Sequence, residues 1–170
     1  HLNFRKQTEE FIDQIKFDQF DDEIPHVIER AHAQGVDVII DVGDTLEDSQ
    51  VSIDLSSQYK ELYSTIGIHP HAAIDSRFEV SMDALEAMIL SSRQGKIVAI
   101  GEIGLDFTRV EYNIDSTYSS AAENYKSVQK KFFLAQLELA RAHDLPVVIH
   151  AREAYEEISA IINDPAWKEL

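Results

Sequence analysis

Apolar positions fall into two alternating rhythms along this chain. Ile24, Val27, Ile28 and Ala31 stand at i, i+3, i+4 and i+7, one face of a helix that Gly35 can terminate. VDVIIDVG (36–43) follows as a short, mostly apolar strand. Asp44 or Thr45 can cap a second helix through about Tyr59, although its apolar stripe is weaker. LYSTIGI (62–68) is the next strand and runs into HPH. Ser81 is expected to cap a helix with Met82, Leu85 and Ile89 on one face, closed by Gly95. IVAIG (97–101) is a third strand, after which the chain is expected to turn on Gly104. Beyond a long loop, Tyr125, Val128, Phe132, Ala135, Leu139 and Ala142 mark a long helix. Pro146 stops it, PVVIH (146–150) forms a fourth strand, and a last helix runs from about Glu153 to Ile162.

Strands separated by amphipathic helices imply right-handed βαβ units and a parallel sheet buried on both faces. The spacing suits a doubly wound sheet or part of a (β/α)8 barrel of the TIM type. A complete barrel takes about 250 residues. With 170 residues and four visible strands, this chain is too short to close one.

In either architecture, functional groups gather beyond the carboxyl ends of the strands. Asp41 and Asp44 flank the end of the first strand, His69 and His71 follow the second, Glu102 the third and His150 the fourth. Four successive strands thus send acids or imidazoles to one edge. Glu102 is the most pointed member, because an apolar segment delivers it and a buried unpaired carboxylate is costly. Imidazole plus carboxylate suits zinc, manganese or iron, and carboxylate with water suits magnesium. His26, His32 and His143 have ordinary helical settings, and Phe132 and Phe133 read as core.

Composition narrows the chemistry. The chain has no cysteine, which excludes disulfides and thiolate metal sites. No apolar run is long enough to span a membrane, and the first residues lack the apolar core of a signal peptide, so a cytoplasmic location is expected. Net charge is −16, from 31 acids against 15 bases. Such a surface lacks the basic stripe that an extended duplex binder needs, so an anionic substrate would have to be gripped locally through bound cations.

GIHPHAA (67–73), AIGEIGLDF (99–107), the run QKKFFLAQLELARAHDLPVVIHAREA (129–154) and the opening HLNF together resemble the TatD family of metal-dependent deoxyribonucleases, amidohydrolase-like (β/α)8 barrels. The resemblance implies that the chain is the N-terminal part of such a barrel, one domain over residues 1–170 truncated at both ends. It implies one or two divalent ions (Mg, Mn or Zn) held by His1, Glu102 and His150, with Glu102 central to catalysis. His69, His71 and Arg152 become substrate contacts; the residues alone would have made the two histidines ligands. A late His and a late Asp of the family pattern have no counterpart here, and the loop 108–125, with its three tyrosines, is longer than the family's and could form a lid or stack on bases.

The activity so implied is hydrolysis of DNA phosphodiester bonds by metal-activated water, as an exonuclease on DNA ends or single-stranded DNA, without membrane or obligate protein partner. Two alternatives stand beside it. One is hydrolysis of a small ester or amide on the same barrel, which the acidic surface suits. The other, if the chain ends at Leu170, is an interaction module that has lost catalysis.

Overall fold

The computed structural model describes residues 23–74, 76–92, 96–108 and 119–167. Four parallel strands lie side by side in chain order: β1 (Ile39–Val42), β2 (Leu62–Ile66), β3 (Ile97–Asp106) and β4 (Val147–Arg152). Between them run α1 (Glu23–Ala33, before β1), α2 (Leu46–Gln58), a single turn α3 (Pro70–Ala73), α4 (Phe78–Ser91) and α5 (Ser119–Ala142), and α6 (Tyr155–Ile162) follows β4. This is the expected α/β architecture, a parallel sheet curled into half a barrel.

The core lies on the helix side of the sheet. Ile66, Ile100, Ile103 and Leu105 pack there against Phe132, Phe133, Leu137 and Ala140 of α5. Each fully buried large side chain contributes roughly 1.5–3 kcal/mol, and this contact holds the two central strands in place. At the other end, Ile24 and Ile28 cover Leu62, so the predicted face of the first helix is the one buried.

The other face is open, contrary to the expectation of a doubly covered sheet. Ile40 is 51% exposed and Val148 38% exposed. Both point away from the helices, since their strand neighbours Asp41, Val147 and Ile149 face them. The four strands curl without closing, and this concave face has no second layer among the described residues.

Three local expectations are corrected. β3 does not end at Gly101 or turn on Gly104 but continues to Asp106. Gly104 has φ +143, and a Cβ there would stand 2.0 Å from the carbonyl oxygen of His150, so this glycine serves close approach of β4. Ser81 is buried inside α4 and does not cap it; the helix starts a turn earlier, where Phe78 packs edge-on against Phe132. Finally, α5 begins at Ser119, inside the expected long loop. The rest of that loop, 109–118, lies outside the described residues, as do His1 and Gly95.

The second helix owes its weak stripe to a serine face. Ser49, Ser52 and Ser56 are buried against the sheet, where Ser52 donates to Asp41 and Ser56 meets Ser64. Thr45 is its N-cap, accepting from the Asp48 amide.

Candidate metal centre

The carboxyl edge of the sheet gathers Asp44, His69, His71, Glu102, Asp106 and His150. Asp41 is not among them. It is 2% exposed on the helix side, held by Ser52, and the acid that reaches the edge from β1 is Asp44.

Glu102 sits where the β3–β4 register slips between Ile100 and Ile103. Its backbone N–H leaves the ladder and donates to Gly43 O at 3.1 Å, while Thr65 Oγ1 donates to Gly101 O at 2.6 Å. This irregularity curls the sheet and turns the Glu102 carboxylate toward β4. There Glu102 Oε1 lies 2.9 Å from His150 Nδ1, and the other ring nitrogen, Nε2, lies 3.0 Å from Asp106 Oδ2. A neutral imidazole has one N–H for these two carboxylates; the second contact needs another proton or a cation between the partners.

Asp106 is fully buried. Its Oδ1 accepts from both the backbone N–H and the hydroxyl of Thr108, and its Oδ2 is 2.9 Å from His71 Nε2. Burial works against the charged form, but the Thr108 hydrogen bonds, His150 and His71 outweigh it and hold the carboxyl down at about 2. Asp106 therefore stays ionised and orients two imidazoles.

His69 caps the short α3, its Nδ1 accepting from the His71 amide at 3.2 Å. Burial first, and then the charge of His150, push its pKa down to about 4. The ring is thus neutral near pH 7, with Nδ1 as acceptor and the proton on Nε2. It packs edge-on against His150, with ring centroids 4.4 Å apart. One donor atom each from His69, Glu102 and His150 lie within 4.8 Å of one another, a spacing that a divalent ion can bridge. Arg152 closes β4 two residues beyond His150, on the same side of the strand, with its side chain exposed.

Two glutamines of α5, absent from the sequence expectations, hold this edge together. Gln136 donates to Ile68 O and accepts from Ile68 N–H, fixing the residue before His69. Gln129 does the same for Asp106, accepting from its N–H and donating to its carbonyl. Both are fully buried. The available signal was two amides seven residues apart on the face that also carries Phe132.

Of the residues expected at this edge, the structure brings Glu102, His150, His69, His71 and Asp44 together, with Asp106 beside them. A parallel half-barrel with imidazoles and carboxylates converging on its carboxyl edge is the frame of a (β/α)-barrel metalloprotein. The chain belongs to the TatD related DNase family, whose pattern it matches over residues 13–170. It is similar to the 3'-5' ssDNA/RNA exonuclease TatD of Shigella flexneri, at 34% identity over 85% of this chain and 49% of that protein. It is also similar to the uncharacterized metal-dependent hydrolase YabD of Bacillus subtilis (35% identity, 88% and 52%) and to deoxyribonuclease Tat-D of Schizosaccharomyces pombe (33%, 83% and 44%). Among solved structures, a TatD homolog from Escherichia coli K12 superposes with a TM-score of 0.68 at 28% identity, over 86% of this chain and 51% of that one. The chain spans about half the length of these relatives. No helix among the described residues is long and apolar enough to cross a membrane.

Proposed function

We propose that this chain forms part of a divalent-metal-dependent hydrolase that shortens single-stranded nucleic acid from an end. The observation that carries the reading is His150 standing between two carboxylates with one ring proton to share. Glu102 and His150 would hold a cation, and His150 would then keep its one N–H for Asp106, the usual outer partner of a metal-bound imidazole. The chemistry such an ion would supply is an acidified water and neutralisation of charge on a scissile phosphate.

The chain's own groups do the rest. Glu102 and His150 hold the ion, with His1 of the sequence pattern as a further ligand. His69, its Nδ1 occupied by the cap, presents Nε2–H to a phosphate oxygen and so acts on substrate rather than metal. His71 and Arg152 add positive or donor groups beside it. Gripping one strand end in this way needs no basic stripe, which reconciles the net charge of −16 with an anionic substrate. The exonuclease and deoxyribonuclease relatives support this reading.

The acidic surface favours a second reading, hydrolysis of a small phosphate ester or amide at the same centre. End-labelled single-stranded DNA and RNA, assayed beside a panel of such esters and amides with manganese or magnesium, separate the two. Stepwise shortening that chelator abolishes, and that Glu102→Ala reduces at least about 100-fold, is the expected result. Unchanged nuclease activity in Glu102→Ala removes the assignment.

A further inference from the structure

Asp44 is fastened to the backbones that carry the site. Gly43 O accepts from the Glu102 N–H at 3.1 Å, and Asp44 O accepts from the His69 N–H at 2.9 Å. The end of β1 thus reaches over the top of β2 to both residues, and the Asp44 side chain is placed by main-chain bonds. The geometry leaves little slack, since a Cβ on Gly43 would stand 2.5 Å from Ser49 Oγ.

The helix beside it does not use this carboxylate. Thr45 takes the capping role, and its hydroxyl also donates to Asp48 Oδ2 at 3.0 Å. Asp44 Oδ1 is buried with no hydrogen-bond partner. Leaving a buried carboxylate oxygen unpaired costs about 1–3 kcal/mol or more. Its electrostatic neighbours include Glu102 and Asp48, which repel it, and His150, which attracts it. A fold that anchors an acid this firmly and, among the described residues, gives its Oδ1 no donor leaves room for an external partner.

Building on the metal reading above, we propose that Asp44 is an outer carboxylate of the centre, holding a divalent ion through one of its waters. It adds a carboxylate from just beyond the first strand of the sheet to the surroundings of the Glu102 and His150 pair.

The test is calorimetric titration of metal-free protein with manganese and magnesium, together with melting of the metal-free forms. Asp44→Asn is expected to weaken metal binding at least about tenfold while leaving the metal-free melting temperature equal to or above the parent's, because it removes a buried uncompensated charge. Asp44→Glu, which keeps the carboxylate, is expected to regain part of the affinity. Equal affinity in Asp44→Asn overturns the proposal while leaving the centre itself intact. A lowered metal-free melting temperature with no recovery in Asp44→Glu also overturns it, assigning Asp44 to loop structure. Absence of metal uptake by the parent protein overturns the metal reading together with this one.

Discussion

Nε2 of His150 lies 3.0 Å from Oδ2 of Asp106, a carboxylate with no solvent exposure whose other oxygen is saturated by Thr108. The pairing fixes which way the imidazole faces. An acid in that position acts through the ring it orients. Asp106→Asn is therefore expected to weaken metal affinity about 10–100-fold without removing a ligand, and to lower activity in parallel. Titration calorimetry on metal-free protein measures the first and end-labelled DNA the second. An affinity equal to the parent's would show that His150 needs no such partner.

The two imidazoles that touch edge-on, His69 and His150, should part company when each is replaced. On the proposed reading His150→Gln removes a donor to the ion, and metal affinity is expected to fall at least about tenfold. On the same reading His69→Gln removes a substrate contact and no metal ligand, so metal affinity is expected to stay within about twofold of the parent while KM rises. Loss of metal in His69→Gln would return His69 to the ligand set that its position alone first implied.

Gln136 satisfies both backbone groups of Ile68 from the interior of α5. Gln136→Leu fills the volume but strands a buried N–H and a buried carbonyl, at roughly 1–3 kcal/mol each. A loss of about 2–4 kcal/mol in urea unfolding is expected, with disordered positioning of His69 as its local consequence. Near-neutral stability would mean that water can replace the amide.

The legible features of this chain were those that repeat. The spacing of Ile24 and Ile28, the long run of α5 and the four apolar strands announced a parallel α/β fold, and glycine-flanked Glu102 and His150 stood out within it. Glycine misled where it served proximity: Gly104 reads as a turn, yet it lets β3 and β4 approach, so β3 runs on to Asp106. Ser81 carried a capping residue's chemistry, but the packing of Phe78 on Phe132 began the helix a turn sooner. The two glutamines were hidden because a polar residue inside an apolar stripe has no value until its backbone partner is known. Asp41 and Asp44 were indistinguishable by type. Strand alternation sends Asp41 to the serine face of α2, and tertiary bonds from Glu102 and His69 place Asp44 at the site.

Acid titration should expose opposed contributions from His69 and Asp44 in the metal-free protein. His69 is held down to about 4 from an ordinary 6.5 by burial and by His150. The folded state then binds its proton less readily than the unfolded chain, so the stability His69 contributes is full above 6.5 and is lost as pH falls through about 4. Asp44 is raised to about 6 by burial and by Glu102. Its charge is a penalty at neutral pH, relieved as pH falls through about 6 and gone below an ordinary 3.8. Asp106, held at about 2, changes only below that window: its contribution is present above 3.8 and is lost as pH falls through about 2. Between pH 6.5 and 4 the first two slopes run in opposite directions and partly cancel in the parent. Urea unfolding in chelator at intervals across that range is expected to show Asp44→Asn losing stability more steeply than the parent on acidification. His69→Gln is expected to lose less, or to gain. Parallel profiles for the parent and both variants would mean that neither group titrates differently in the folded state.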